Sequence, residues 1–314
     1  MDPDRASDPI FEAETTAPSV LTLFDGVAEA LVVPELGAGL ASYDLIETDS
    51  RTPLFRPRRD LRGVEPFDLA NNLLLPWSNR ISGGGFRFGG RFHPIAPNLT
   101  GEAYPIHGNG FSTAWAVESA EPAGAELSLT SHGPGPFHYR ARASYGLQAG
   151  ALTMRIAIVN LAVEPLPFGL GFHPWIVRGT DTQLNAKAEW VVLETSDHLP
   201  SSKAPVSSYP QWDFSERRGL PSKWINNAFL GWDGRAAIVW RDRKLALEVE
   251  ADPPLGVYIV YSPSDGADFF CFEPVTHPVD AHNLSGGPQT NGLVILQPQA
   301  SLSATCRFRP RRIG

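Results

Sequence analysis

Four short segments of this chain combine polar, potentially catalytic side chains with apolar or turn-forming neighbours. Glu273 closes the apolar run Phe269-Phe270-Cys271-Phe272 and is followed by Pro274. Burying such a carboxylate unpaired is costly, so it needs a partner or a task. The proline ends the strand and aims the side chain from a rim. His173 lies in Gly169-Leu170-Gly171-Phe172-His173-Pro174-Trp175, and His107 is fixed just ahead of Gly108 in Tyr104-Pro105-Ile106-His107-Gly108. Asn79 and Arg80 emerge after Leu73-Leu74-Leu75-Pro76-Trp77-Ser78, beside an indole. A carboxylate of ordinary pKa about 4.3 is ionised at neutral pH and accepts a proton. A histidine near about 6.5 carries one, and adjacent negative charge raises that value. Singly, each residue has an ordinary structural use as a turn histidine, an ion-paired acid or a core tryptophan. Their joint occurrence points to general acid–base chemistry.

The elements that must position these groups read as strands. Period-2 runs of strand length recur at 125–130, 139–147, 151–160, 236–240, 245–250, 257–261, 269–273, 293–296 and 302–308, and residues 19–46 read as short strands broken by turns. In Phe86-Arg87-Phe88-Gly89-Gly90-Arg91-Phe92-His93, alternating aromatics flank Gly-Gly and predict a two-residue hairpin. Residues 51–66 read as an Arg- and Pro-rich loop, 67–75 as a short helix, and 195–224 as a long polar excursion. Frequent short strands without sustained helical periodicity predict an all-β, antiparallel sandwich or barrel. The expected organisation is a loosely ordered tail over 1–15 and one domain over 16–314.

Composition narrows the function classes. Hydrophobic residues make up 42% and charged residues 19%, enough apolar content for a large core. The 29 Gly and 29 Pro imply many turns. Lys+Arg 26 against Asp+Glu 34 leaves a net charge of −8, which argues against a nucleic-acid or anionic-membrane partner. The start is acidic rather than apolar, and the two cysteines, Cys271 and Cys306, make no disulfide framework, so a reducing cytoplasm is the expected location. G-x-S-x-G, H-E-x-x-H and Walker-type patterns are absent, and the eight histidines lack helical ligand spacing, so no metal site is expected. His132 and His138, around a Gly-Pro-Gly-Pro loop, read as surface histidines.

In order along the chain, LLLPWSNRISGGGFRFGGRFH, PIHGNG, GFHPW and FEPVTHPVDAHN resemble the successive signatures of the aldose 1-epimerases, the galactose mutarotase-like proteins. The spacing agrees, with 66 residues from His107 to His173 and 100 from His173 to Glu273, and the likeness covers about 17–310. It implies a large single-domain antiparallel β-sandwich and a cofactor-independent enzyme acting on a sugar. Glu273 would be the general base on the anomeric hydroxyl and His173 the general acid on the ring oxygen. His107 would hydrogen-bond near that oxygen, and Asn79 and Arg80 would bind sugar hydroxyls. Trp77 and Trp175 would offer flat faces to the C–H side of a pyranose. Trp115 fits the tryptophan that follows the H-G signature.

Two departures bear on the substrate. Where many relatives carry a sugar-binding aspartate three residues before a phenylalanine, Asn226 stands in Asn226-Asn227-Ala228-Phe229. The amide lacks the acid's charge, which would ease binding of an acidic sugar, with Arg178, Arg87 or Arg91 as the expected cation. The stretch Asn109-Gly110-Phe111-Ser112-Thr113 lacks the basic residues that phosphosugar relatives place there. The leading expectation is a mutarotase for a free, non-phosphorylated pyranose. The alternatives are an epimerase for an acidic sugar and a non-catalytic carbohydrate-binding protein.

Overall fold

A computed structural model of the protein describes residues 17–314; the tail expected over 1–15 lies outside the described residues. Nearly every element is a strand, and all the paired strands run antiparallel. One large sheet runs in the order Leu21–Phe24, Ala28–Val33, Gly39–Glu47, Asn71–Leu74, Gly171–Val177, Phe269–Val275, Val257–Ser262, Ile225–Leu230, Trp190–Glu194 and Pro200–Pro205. A second sheet of nine strands is built around Ala151–Asn160 and Ser301–Arg312. The main core cluster joins buried residues of both, such as Phe172, Phe270 and Phe272 from the first and Ile156, Leu247 and Phe308 from the second. Among the described residues no helix is long and apolar enough to cross a membrane.

The alternation read from the sequence appears as burial. His138–Gln148 and Ala151–Asn160 alternate buried and more exposed residues, and they pair along Tyr139↔Asn160 to Gln148↔Ala151. The expected hairpin is present, with Gly85–Phe88 against Arg91–Pro94 and Gly89 and Gly90 at φ 58° and 81°. Both turn residues therefore occupy the left-handed region that glycine enters without a Cβ penalty.

The helix expected over 67–75 is not formed. Pro66–Asp68 makes one 3₁₀ turn and Asn71–Leu74 is a central strand. All four strand residues, two asparagines and two leucines, are buried, so no exposed face marks a period of two, as in a strand covered on both sides. The loop 51–66 begins with strand residues, since Ser50–Pro53 pairs with Gly39–Glu47. The excursion 195–224 holds the edge strand Pro200–Pro205 and two 3₁₀ turns.

Candidate active site

Two central strands of the large sheet place His173 and Glu273 by phase alone. In Gly171–Val177, Phe172 turns into the core and His173 to the opposite face; in Phe269–Val275, Phe272 and Glu273 divide the same way. Each fully buried phenylalanine contributes about 1.5–3 kcal/mol to fixing that phase. The pairs Gly171↔Val275 and Trp175↔Cys271 bracket His173 and Glu273, leaving them side by side with His173 Nε2 3.4 Å from Glu273 Oε1. That gap is looser than a hydrogen bond, as acid–base pairs often are before substrate arrives.

These groups line a cavity of about 240 Å³ together with Asn79, Arg80, His107, Trp175 and Asn226. Seven of the eight residues read from the sequence thus meet in one place. Trp77 does not. Its indole is fully buried, packs against Phe137 and donates Nε1–H to the Asn79 carbonyl at 2.9 Å. Trp77 is a support beneath Asn79 rather than a sugar-stacking face, because its one polar atom finds a backbone partner inside the fold.

His107 enters on a left-handed turn, φ 59°, followed by Gly108 at φ 68°. A Cβ on Gly108 would sit 2.1 Å from the Leu75 carbonyl oxygen, so only glycine lets this turn approach the strand beside it. The Asn79 backbone N–H donates to His107 Nδ1 at 3.0 Å, so the ring carries its proton on Nε2. Burial, with neighbouring His173 and Arg80, holds His107 well below the usual histidine range. It is a neutral donor. His277 repeats the arrangement, its Nε2 accepting from the Ser78 backbone N–H at 3.1 Å while Nδ1 lies 2.8 Å from the Pro278 carbonyl.

Electrostatics in the cavity differ from the sequence expectation in one respect. Burial raises Glu273 to about 8, with Arg80 opposing, and lowers His173 to about 4. Desolvation outweighs the mutual attraction expected to charge the histidine. The resting pair therefore holds one proton, on the carboxyl group. Glu273 Oε2 and His173 Nδ1 are buried without a protein partner, leaving polar capacity for a ligand.

The remaining walls come from residues that sequence reasoning does not single out. Phe67, delivered by the 3₁₀ turn, stacks on His107 at 5.4 Å and meets His173 edge-on at 5.0 Å. Glu102 takes Arg80 in two bonds, Nε at 2.9 Å and Nη2 at 2.7 Å, and so neutralises it. The polar excursion supplies His198 and Trp224, and Tyr261 completes that side. Buried Asn72 faces His173 in register. No local pattern marks these residues, since folding of irregular segments brings them in; only the paired Asn71-Asn72 inside an apolar run is a visible signal.

The three arginines expected to serve an acidic sugar are engaged elsewhere. Arg178 bonds Ser262 and the carbonyls of Ser264 and Pro221, Arg91 pairs with Glu164, and Arg87 lies over the Phe92 ring. His132 and His138 stack on each other at 3.9 Å as register partners. Trp115 is a core residue whose Nε1 donates to the Gly110 carbonyl. Among the described residues one group has metal-ligand spacing, His173, Cys271 and Glu273, with atoms within 4.8 Å. Burial and Glu273 push the Cys271 thiol up, so it is a neutral S–H and a poor ligand. A larger hollow of about 600 Å³ lies over Val192, Leu230 and Val257, with Lys203 its only ionisable lining residue. It has no acid–base pair.

Comparison with known proteins bears on the family and the fold. The aldose 1-epimerase family profile matches residues 19–309. The Escherichia coli K12 protein YphB, itself uncharacterized, is 32% identical over 273 residues, 82% of this chain and 89% of its own length. A crystal structure from Escherichia coli K12 described as a candidate aldose 1-epimerase superposes with TM-score 0.86 at 30% identity, covering 94% of this chain and 99% of that one. The galactose 1-epimerase of Lactobacillus acidophilus NCFM shares the fold at TM-score 0.73 and 16% identity, over 93% of this chain and 94% of its own. With the profile spanning almost all the described residues and the sandwich holding Glu273, His173 and His107 in one cavity, the chain belongs to the aldose 1-epimerase family and is an isomerase of the mutarotase type.

Proposed function

We propose that the protein is a cofactor-independent mutarotase that interconverts the α and β anomers of a free, non-phosphorylated aldopyranose. The observation that carries this reading is the Glu273–His173 pair, 3.4 Å apart at the base of the cavity, with the Nε2–H donor of His107 beside it.

The resting proton on Glu273 is within reach of His173, and a bound sugar's hydroxyls supply the polar contacts that burial removed. They favour the ion-pair form, carboxylate and imidazolium. In that form Glu273 removes the proton from O1, the C1–O5 bond breaks, and His173 delivers its proton to O5. The product is an open-chain aldehyde with a C5 hydroxyl. Rotation about C1–C2 exposes the other carbonyl face. In reclosure the roles reverse: His173 takes the proton from the C5 hydroxyl as O5 attacks C1, and Glu273 returns its proton to O1. The pair ends with the single proton it began with, so no external acid, base or cofactor enters the balance.

His107, held neutral, donates to the ring oxygen side without competing for the proton. Arg80, already paired with Glu102, acts as a fixed fork of hydrogen-bond donors rather than a free positive charge. Each proton transfer is expected to contribute roughly 10²–10⁴-fold.

One-dimensional NMR of anomer exchange, on a panel of neutral and acidic aldoses, tests the reading. Exchange of at least one free aldose should be accelerated by the protein and lost with Glu273→Gln. Wild-type rates in that variant would overturn the mechanism.

A further inference from the structure

The far wall of the cavity is organised by a residue that does not line it. Asn226 pairs with Tyr261 and Tyr261 with Cys271, so Asn226 shares the face of Glu273, two strands over and one pleat along. Strand spacing and rise put the two roughly 12 Å apart between Cα atoms. A pyranose with its anomeric end at Glu273 therefore presents its distal hydroxyls to Asn226. Behind Asn226, on the neighbouring strand Trp190–Glu194, the Glu194 carboxylate gathers three groups: Asn226 Nδ2 at 3.0 Å, Trp224 Nε1 at 2.6 Å and His198 Nδ1 at 2.8 Å. Its side chain is only 20% exposed.

A carboxylate only accepts, so the amide nitrogen of Asn226 must face it, which leaves Oδ1 as the acceptor that Asn226 offers the cavity. The orientation of that amide is fixed by chemistry rather than by crowding. His198 and Trp224, stacked at 5.3 Å, are held by the same carboxylate in the wall beside it. The negative charge missing from position 226 thus sits one residue behind it. The cation in the cavity lining, Arg80, is already matched by Glu102. An anionic substituent on the distal side of the sugar would face an acceptor oxygen backed by a carboxylate.

Resting on the mutarotase reading above, we infer that Glu194 is a positioning residue that fixes the Asn226 amide so that its Oδ1 meets the sugar as an acceptor, and that the site thereby selects neutral pyranoses through a distal hydroxyl and rejects hexuronic acids. Asn226 therefore performs the work of an acid at its position without carrying the charge itself.

The test uses Glu194→Gln, Asn226→Asp and the double variant, each checked by thermal melting. Anomer exchange and titration calorimetry are measured with glucose, galactose, their 3- and 4-deoxy analogues, and glucuronic and galacturonic acid. Glu194→Gln leaves one acceptor oxygen for three donors and frees the Asn226 amide to turn. KM for the neutral sugar should rise roughly tenfold, one good hydrogen bond, with kcat within about twofold. The deoxy analogue lacking the recognised hydroxyl should bind wild type and variant alike. Asn226→Asp alone sets two carboxylates together and should weaken binding similarly. In the double variant the amide introduced by Glu194→Gln donates to the carboxylate introduced by Asn226→Asp, and KM should return to within about threefold of wild type.

Recovery in the double variant supports the inference, since a merely structural role predicts additive loss. Unchanged KM in Glu194→Gln, a double variant no better than Asn226→Asp, or a wild-type preference for the hexuronates would overturn it. Calorimetry separates this outcome from the parent reading. The same affinity ladder without any accelerated exchange refutes mutarotation and leaves the role of Glu194 standing. Exchange with a flat ladder does the converse, and failure to bind any neutral sugar refutes both.

Discussion

Asn79 and His107 hold each other through two backbone bonds. The Asn79 N–H donates to His107 Nδ1 at 3.0 Å, and the His107 N–H donates to the Asn79 carbonyl at 3.1 Å. Both residues are left-handed, each at φ 59°, and that carbonyl also takes the Trp77 indole N–H. Strain at two non-glycine positions, of order 1–3 kcal/mol each, persists because these bonds over-determine the turn. Their consequence is a single ring tautomer facing the sugar.

The first prediction follows from that tautomer. Long-range ¹⁵N correlation spectra should show His107 as the Nε2–H form, still neutral at a pH where an ordinary histidine is charged, since protonating Nδ1 would break the bond from Asn79. His107→Ala should lower kcat by roughly 10²-fold while the melting curve remains cooperative. An imidazolium signal with ordinary titration would contradict the assignment.

The Glu273–His173 pair sets a pH window. Below about 4 the histidine gains a second proton, and above about 8 the carboxyl loses the only one, so kcat/KM of the free enzyme should be flat between those values and fall on both sides. Stability carries a matching signature. Glu273, at about 8 folded against an ordinary 4.5, releases its proton on unfolding anywhere between, so it makes stability fall as pH rises through that range. His173, at about 4 folded against an ordinary 6.5, takes up a proton on unfolding between those values and makes stability fall as pH drops. The two slopes oppose each other up to about 6.5, and above it the Glu273 slope acts alone. Between pH 6.5 and 8 the melting temperature of wild type should therefore drop relative to Glu273→Gln. Parallel melting temperatures would show that Glu273 is not desolvated.

Phe67 shields the histidine of this pair. Its ring covers both His107 and His173, yet it stands on a 3₁₀ turn at the loop's end and is only half-buried. Phe67→Ala should admit water, return His173 toward its ordinary value, and move the acid limb of the pH–rate profile upward by about one unit. The fold should survive, since the ring lies outside the inter-sheet core. An unmoved acid limb would assign the desolvation of His173 to the sheet alone.

The legible part of the site is the part written in strand phase. Phe172-His173 and Phe272-Glu273 each place an aromatic toward the core and an ionisable group away from it, and they fall opposite each other because their strands are adjacent. The hairpin at Gly89-Gly90 is equally visible, because the turn chemistry is local. Glu102, Phe67, Glu194, His198 and Trp224 are not. They sit in irregular or edge segments whose positions are fixed by partners far along the chain, such as the bond between Trp224 and Glu194 across 30 residues. Asn71–Leu74 reads as helix for a related reason: a strand covered on both faces shows no alternation to detect.

Trp77 and Trp175 look alike in the sequence and part company in the fold. Trp175 lines the cavity, stacked on His173 at 5.6 Å with Arg56 over its ring at 4.3 Å, whereas Trp77 is sealed beneath Asn79. Substituting each should separate affinity from stability. Trp175→Ala removes a stacking face and should raise KM up to roughly tenfold, the equivalent of about 1.4 kcal/mol, with a smaller loss of stability. Trp77→Phe leaves the Asn79 carbonyl short of one donor and opens a small void, which should cost about 1–3 kcal/mol of stability. Its KM should stay near wild type, because His107 still bonds both backbone groups of Asn79. Denaturant titration of both variants alongside anomer-exchange kinetics checks the pair together. A large KM effect from Trp77→Phe with unchanged stability would return that indole to the sugar site.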